Sequence, residues 1–392
     1  MISKEHYFDW AATSPMDEEI TAQAVKEAIE HWGNPSSIHE AGTDARKALE
    51  GFRKRAASAL GVPENTVFFT SGGTESDHIP LLSVLSKPSK GSVAVSAVEH
   101  PALAEMSKML KNCGWKVITI NPDKNGFITP EAVISSIEDD TAFVSVMAVN
   151  NETGAIQPVK EIASALTEKC RGKRKPFFHT DCVQAAGKIR LDLEGWGVDS
   201  AAFSAHKIGG PRGIGLLYLS KQIVPFLRGG GQEKGTRSGT ENLLGAAALS
   251  LCLEKYLIRN ENRESTERLE KQKEMTGKFM RGLLEIKGCT IIPHCRSGEE
   301  FAENFSPWVV QASFPGIPGQ VMERALSSKG FYISTGSACS SGRHSRPILD
   351  SMNISGPEKE GAVRFSFGWD TTEKAMDELL MQVKETAGQF EH

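Results

Sequence analysis

The sequence predicts an α/β protein with a large, mainly parallel sheet, followed by a smaller α+β region. Two observations carry this prediction. Short apolar runs alternate with helical patterns from about residue 17 to residue 224, and the pattern changes beyond residue 240. Near-continuous apolar strands separated by helices are typical of parallel sheets that are covered on both faces.

Helical and strand patterns alternate through the first region. Apolar residues recur at three- and four-residue spacing in EITAQAVKEAIEHW and DARKALEGFRKRAASAL, which predicts two amphipathic helices. Later helices separate short apolar runs of strand length. The predicted strands are TVFFTSG, SVAVSAV, AFVSVMAV, PFFHTDCV, AAFSAH and IGLLYLS.

The second region begins with a helical pattern over residues 241–287, apolar at first and then highly charged. We expect one long helix here that connects two domains. Further along the chain, helices are predicted near residues 318–328 and 372–388. The accompanying strands are expected in CTIIPH, WVVQASF, FYISTGS and AVRFSFGW. This mixture is typical of a small α+β domain.

The chain length also favours two domains, because 392 residues exceed what one hydrophobic core usually supports. The change of pattern sets the predicted boundaries. Residues 15–260 are expected to form the large α/β domain, and residues 1–14 together with 261–392 the small one.

Charge and hydropathy argue against nucleic acid and membranes as partners. The net charge is −4, which gives no basic footprint for a polyanion. The N-terminus MISKEHYFDW has no apolar core of a secretory signal, and no run approaches the roughly 18 apolar residues of a membrane span. We therefore expect neither a nucleic acid nor a membrane partner.

The cysteines predict reduced thiols rather than disulfides or a metal site. There are seven of them, widely scattered and without a C-x-x-C pair, which favours a cytoplasmic protein. Cys289, His294 and Cys295 are close in sequence, but CTIIPH alternates like a strand and no fourth ligand is evident. No metal site is expected.

A candidate anion site lies in FFTSGGTESD, where a strand leads into a glycine turn and a helix start. Thr74 with Asp77 three residues later fits a capping box. The unpaired N–H groups and the dipole at such a helix start favour a phosphate near Gly73 and Thr74. An ordinary capped helix start is the alternative, and the motif alone does not decide between them.

Lys207 and Asp181 each follow a predicted apolar strand, in FSAHKIGGPRGIG and HTDCVQ. Each has an ordinary alternative, as a surface cation and as a turn or cap residue. Strand ends of an α/β sheet are where functional groups converge. An amine that forms a Schiff base, a carboxylate for a pyridinium nitrogen and a phosphate site are what pyridoxal phosphate requires. Together the segments predict a pyridoxal-phosphate enzyme.

Cys339 lies in STGSACSSGRHSRP, a run of small and polar residues between a predicted strand and a predicted helix. Unpaired cysteines are more often small buried hydrophobic residues than nucleophiles, and for the other six cysteines we keep that interpretation. The neighbours of Cys339 cannot form a core. Small, hydroxyl-rich loops suit a nucleophile that must move.

Ten motifs resemble the cysteine desulfurases of the NifS/IscS type, within the class V aminotransferase group of fold-type-I pyridoxal-phosphate enzymes. They run through nearly the whole chain in the order of that group: YFDWAATSP, GNPSSIHEAG, TSGGTES, EHPA, VNNETGAIQP, HTDCVQAAGK, SAHKIGGPRGIG, RSGTEN, STGSACSSG and VRFSFG. The resemblance implies a seven-stranded sheet, removal of sulfur from L-cysteine to give alanine, and a homodimer. It also implies delivery of the sulfur to an acceptor, an iron–sulfur scaffold or a tRNA-thiolation protein.

The resemblance further implies roles for individual residues. Lys207 binds the cofactor and moves the Cα proton, while Cys339, on a loop of the small domain, becomes the persulfide. His100 stacks on the ring and transfers protons. Cofactor contacts are implied for Gly73, Thr74, His100, Asn151, Asp181, Val183, Gln184, Ser204, His206 and Lys207, and for Thr240 of a neighbouring subunit. Substrate contacts are implied for Arg364, Asn34 and Asn151.

Alternation in GAVRFSFGW independently separates Arg364 from Val363, Phe365 and Phe367, so that a guanidinium faces away from the apolar side chains. Such a fork suits a substrate carboxylate, whereas a solvent-facing strand cation is the alternative.

Two positions depart from the pattern of this group. Cys182 stands where alanine is usual, and we expect it to be a small filler. Asp77 begins DHIP, where an asparagine-rich helix start is usual. A selenocysteine lyase, another class V aminotransferase-like enzyme and an inactive sulfur-relay subunit remain alternatives, although Lys207, Asp181 and Cys339 together argue against the last.

Overall fold

A seven-stranded sheet is the centre of the protein, in a computed structural model that describes residues 3–259, 262–336 and 346–390. The strand order is β1-β7-β6-β5-β4-β2-β3. Its strands are β1 (Val67–Thr70), β2 (Ser92–Ser96), β3 (Lys116–Ile120), β4 (Thr141–Ser145), β5 (Phe177–Asp181), β6 (Ser200–Ser204) and β7 (Gly215–Leu219).

The strand directions bring six carboxyl ends to one edge of this sheet. Strands β3, β2, β4, β5 and β6 pair in parallel, while β7 is antiparallel to both β6 and β1. Only β7 therefore runs against the other six. The expected mainly parallel, seven-stranded sheet is confirmed, and residues that follow its parallel strands meet at a shared edge.

Helices pack against the large sheet and against a smaller one. Within the described residues they are α1 (Glu18–Glu30), α2 (Glu40–Leu60), α3 (Gly73–Leu82), α4 (Pro101–Asn112), α5 (Pro130–Ser136), α6 (Val159–Lys169), α7 (Leu193–Trp196), α8 (Leu243–Tyr256), α9 (Arg263–Leu284), α10 (Gly319–Ser328), α11 (Pro347–Ser351), α12 (Gly356–Glu360) and α13 (Glu373–Gly388). None of these helices is both long and apolar enough to cross a membrane.

The long helix expected over residues 241–287 is wrong, because the structure contains two helices there. Helix α8 ends at Tyr256, and Leu257 already has extended backbone angles. Helix α9 then starts afresh, with the Asn262 side chain accepting a hydrogen bond from the Ser265 N–H. The extended residue and the new N-cap interrupt the helical hydrogen bonds. The interruption lies where the apolar part of the pattern changes to the charged part.

A three-stranded antiparallel sheet has the order β10-β9-β8, from strands β8 (Thr290–Ile292), β9 (Val309–Ser313) and β10 (Ala362–Ser366). It has its own apolar core, which includes Phe8, Trp308 and Phe365 and is separate from the clusters around the large sheet. Phe8 joins this core although it lies at the start of the chain. The domain boundaries given above remain a prediction.

Candidate active site

A cavity of about 230 Å³ opens at the edge where the carboxyl ends of the parallel strands meet. It brings together eleven of the residues expected from the sequence, although they come from distant parts of the chain. These are Gly73, Thr74, His100, Asn151, Asp181, Val183, Gln184, Ser204, His206, Lys207 and Arg364. Ala11, Ala12, Asp77 and Met147 line the same cavity.

The glycine turn after β1 places the start of α3 at the cavity. Gly72 caps the helix with φ 157°, a conformation that favours glycine, and no side chain caps it. A Cβ at Gly73 would come within 2.8 Å of a Val183 methyl group, so only glycine lets the turn pack this closely. The expected capping box is therefore wrong, since the helix begins before Thr74 and Asp77 lies inside it.

Asp77 instead forms a buried pair with a histidine of β5. Its Oδ1 lies 3.1 Å from His179 Nε2, and His179 Nδ1 lies 2.7 Å from Ser200 Oγ. Burial raises the pKa of Asp77 well above its usual range and lowers the pKa of His179 to about 4. The pair therefore retains a neutral imidazole beneath the cavity.

Asp181 is the last residue of β5 and is only 3% exposed. Its Oδ1 accepts a hydrogen bond of 2.8 Å from the Val183 N–H, which fixes the carboxylate at the strand end. Burial, followed by repulsion from Asp77, raises the pKa of Asp181 to about 8. This carboxyl group needs a nearby cation to remain ionised at neutral pH.

Lys207 lies in a single 3-10 turn directly after β6. Its Nζ donates to the carbonyl oxygens of Ala11 and Ala12, at 2.6 and 2.7 Å. Ala11 also accepts from Gln184 Nε2 at 2.8 Å, so one carbonyl group joins two side chains of the cavity. A rigid strand end thus presents the amine, and the chain near the N-terminus holds it in place.

His100 and His206 are both held as neutral bases beside the cavity. His100 caps α4, with its Nδ1 accepting from the Ala102 N–H at 3.2 Å. This bond requires an unprotonated Nδ1 and leaves the proton on Nε2. Burial, followed by repulsion from Lys207, lowers the pKa of each histidine to about 4.

Arg364 reaches the cavity from the small sheet and is 2% exposed. Its guanidinium donates to the Asn151 carbonyl oxygen at 3.0 Å and to Asp9 Oδ1 at 2.8 Å. Val363 and Phe365, its neighbours on β10, lie in the apolar core. Two buried polar atoms here, Arg364 Nε and Asn151 Oδ1, have no hydrogen-bond partner within the described structure.

Two of the expected residues that the structure describes do not line this cavity. Thr240 and Asn34 are exposed, and the Asn34 side chain accepts from the Ser36 N–H at 2.9 Å. Cys339 lies outside the described residues. Cys182 is fully buried, and burial raises the pKa of its thiol well above the usual range, which suits a small filler.

Sequence reasoning missed four residues of the cavity: Ala11, Ala12, Asp77 and Met147. The alanines act through carbonyl oxygens, which every residue carries, so their identity holds no signal. Asp77 did hold one, because a carboxylate three residues into a helix start was interpreted as a cap. Its burial shows only in the packing of α3 against β5.

Comparisons with known proteins agree with this arrangement. A family model described as "Aminotransferase class-V" matches residues 6–379. The cysteine desulfurase IscS of Methanosarcina thermophila is 36% identical over 388 residues, which cover 98% of this chain and 92% of that protein. The cysteine desulfurase NifS of Azotobacter vinelandii is 34% identical over 392 residues, or 98% and 93% of the two chains.

A solved structure described as a NifS-like protein is similar throughout, with a TM-score of 0.86 and 33% identity. The match covers 98% of this chain and 100% of that one. The resemblance carried by the ten motifs and the expected fold-type-I architecture are both confirmed. The chain belongs to the class V aminotransferase family.

Proposed function

We propose that this protein is a pyridoxal-phosphate-dependent cysteine desulfurase, which converts L-cysteine to L-alanine and retains the sulfur on Cys339. The observation that carries the proposal is the meeting of Lys207, Asp181, Arg364 and the start of α3 in one cavity. Enzymes of this family use pyridoxal phosphate, and relatives that cover nearly the whole chain are named cysteine desulfurases.

The residues present fit this cofactor. The Asp181 carboxyl group has a pKa of about 8, and a protonated ring nitrogen would give it a cationic partner. The N–H groups at the start of α3 suit a phosphate, with Ser204 and His206 close by. Gly73 leaves the space that a Cβ would fill beside Val183, which would press on the ring.

The unpartnered atoms fit the substrate. Arg364 Nε and Asn151 Oδ1 are buried and lack hydrogen-bond partners within the described structure. A substrate carboxylate would accept from Arg364 Nε, and a substrate amine would donate to Asn151 Oδ1. The guanidinium is already oriented by Asp9 and the Asn151 carbonyl group. We expect Arg364 to hold the carboxylate and to place the Cα–H bond near Lys207.

The chemistry divides between the cofactor and the chain. When bound, the cofactor supplies an acceptor for the electrons released at the substrate Cα. Lys207 removes and returns the Cα proton, and neutral His100 is able to move a second proton at the ring face. Cys339 Sγ attacks the substrate sulfur, so that an S–S bond forms while the Cβ–S bond breaks. The products are a Cys339 persulfide and alanine, and neither an oxidant nor a reductant is consumed.

We propose further that the protein is a homodimer in which Thr240 reaches the phosphate of the partner subunit. Thr240 is exposed in one chain. Large apolar side chains are exposed as well, and burying them between two subunits would be favourable. They include Ile29 (69%), Trp32 (76%), Ile38 (94%) and Leu227 (66%). Light scattering of the purified protein tests the dimer directly, and a monomer at micromolar concentration would contradict it.

The sulfur acceptor is proposed to be an iron–sulfur scaffold or a tRNA-thiolation protein, in the cytoplasm. A reducing compartment keeps the Cys339 thiol free to attack the substrate sulfur, and all six described cysteines are unpaired.

A turnover assay tests the proposed function. The purified protein should show visible absorbance from its cofactor, and with L-cysteine and a thiol reductant it should form sulfide and alanine in equal amounts. Pyruvate or free ammonia in place of alanine would contradict a desulfurase. Faster turnover of selenocysteine than of cysteine would favour a selenocysteine lyase.

A further inference from the structure

Lys188 is a buried lysine for which neither the fold nor the proposed chemistry gives a role. It is 3% exposed and makes no ion pair with any residue that the structure describes. Lysine is almost never fully buried unless it is paired, because removing an ammonium group from water is costly. Its position behind the cavity therefore requires an explanation.

One side chain accepts from Lys188, and that side chain lines the cavity. Lys188 Nζ donates to Gln184 Oε1 at 2.5 Å. The Lys188 carbonyl group accepts from Trp308 Nε1 at 3.0 Å, which fixes the backbone at this point. In this contact the Lys188 amine donates to the amide oxygen of Gln184, so the amide nitrogen lies on the other side.

The opposite end of the amide is thereby fixed as a donor. Gln184 Nε2 gives one hydrogen to the Ala11 carbonyl oxygen at 2.8 Å and retains a second hydrogen. Ala11 in turn accepts from Lys207 Nζ. A chain of hydrogen bonds thus runs from Lys188 through Gln184 and Ala11 to the amine of Lys207.

Burial and the surrounding positive charges make a protonated Lys188 side chain unfavourable in the ligand-free protein. Burial, followed by repulsion from Lys207 and Arg364, lowers the pKa of Lys188 well below its usual range. His206 also faces this group of cations. An anionic ligand in the cavity would offset the cost, since it would be the missing counter-charge.

We propose that Lys188 is a positioning residue, which orients the Gln184 amide so that its nitrogen donates to the ring oxygen of bound pyridoxal phosphate. This inference rests on the proposed function. Without Lys188 the amide oxygen loses its donor, and only the Ala11 carbonyl group still orients the amide. The lysine is thus retained for ligand binding rather than for folding.

A double-mutant cycle tests the coupling. The Lys188→Met, Gln184→Leu and double variants would be titrated with pyridoxal phosphate as full-length, ligand-free protein, with tryptophan fluorescence as the signal. Each single change should weaken binding about fivefold, the value of one ordinary hydrogen bond. The double variant should bind pyridoxal phosphate no more weakly than Gln184→Leu alone. A loss of affinity equal to the product of the two single losses would overturn the coupling.

Two further readouts separate positioning from a loss of structure. The visible absorbance maximum of the holoenzyme should move in the same direction in Lys188→Met and Gln184→Leu, and an unmoved band in Lys188→Met would overturn the proposal. The exposed Lys287 provides a matched control, since Lys287→Met should bind as the unaltered protein does.

A second variant keeps the test decisive if Lys188→Met does not fold. Gln184→Glu gives the buried amine a carboxylate partner but removes the donor toward the ring. It should raise the melting temperature of the ligand-free protein and weaken binding of pyridoxal phosphate. A lower melting temperature would overturn the role of Lys188. Failure of the unaltered protein to bind pyridoxal phosphate would instead contradict the proposed function.

Discussion

Replacing Arg364 with lysine keeps the positive charge but removes the planar fork. In the structure the guanidinium donates to the Asn151 carbonyl oxygen and Asp9 Oδ1, while its Nε has no partner within the described residues. Lysine is a compact point charge and cannot retain these bonds while holding a carboxylate at two points. At least one charge-assisted hydrogen bond to the substrate should therefore be lost.

The expected loss follows from the strength of such a bond. A hydrogen bond to a charged group contributes about 1.5–3 kcal/mol, which corresponds to a factor of about 10 to 150 in binding. Since the carboxylate is held before and during the reaction, Arg364→Lys should raise KM by this factor and change kcat by less than about threefold. Sulfide release at varied L-cysteine concentration measures both constants.

Arg296→Lys is the matched control for this experiment. Arg296 is also buried, but it donates to the carbonyl oxygens of Thr153 and Ser306 and does not line the cavity. Its replacement should lower the melting temperature and leave KM unchanged. An unaltered KM in Arg364→Lys, or an equal rise in Arg296→Lys, would refute the role of Arg364.

Three other substitutions test separate parts of the account. Cys339→Ser should keep the visible absorbance and stop sulfide release, whereas Cys170→Ser should keep both. Undiminished turnover without the Cys339 thiol would reject the persulfide route. Lys207→Ala should lose the visible band of the lysine-bound cofactor, and an unchanged spectrum would exclude Lys207 as its attachment point. Because the pKa of His100 is lowered to about 4, the unfolded chain takes up a proton there between pH 6.5 and 4 that the folded protein does not, so stability falls as the pH falls. The ligand-free protein should lose about 1–2 kcal/mol at His100 between pH 7 and pH 5 by urea denaturation, and an equal pH dependence in His100→Gln would contradict the neutral histidine.

The sequence predicted the sheet well where strands are buried on both faces, since these read as near-continuous apolar runs. Strand β3 was missed because it lies at the edge of the sheet, where exposed residues such as Lys116 interrupt the apolar pattern. The single long helix was wrong because an extended residue and a new cap, at Leu257 and Asn262, leave little trace in the spacing of apolar residues.

The site was predictable where chemistry depends on residue type and not where it depends on burial. Lys207 and Asp181 could be recognised because an amine and a carboxylate stand at the ends of apolar strands, and Arg364 because a guanidinium alternates with apolar residues within a strand. The carbonyl group of Ala11 and the buried amine of Lys188 could not, since nothing in a sequence shows which backbone oxygen faces a cavity or which lysine is removed from water. These features arise from the packing of distant segments.

The most direct test of the account is to locate the sulfur after the protein is incubated with L-cysteine and no reductant. Mass spectrometry of the digested protein should find one added sulfur atom on the peptide that contains Cys339, with an equal amount of alanine in solution. Alanine formed without a modified Cys339 peptide, or sulfur found on another cysteine, would contradict the central claim.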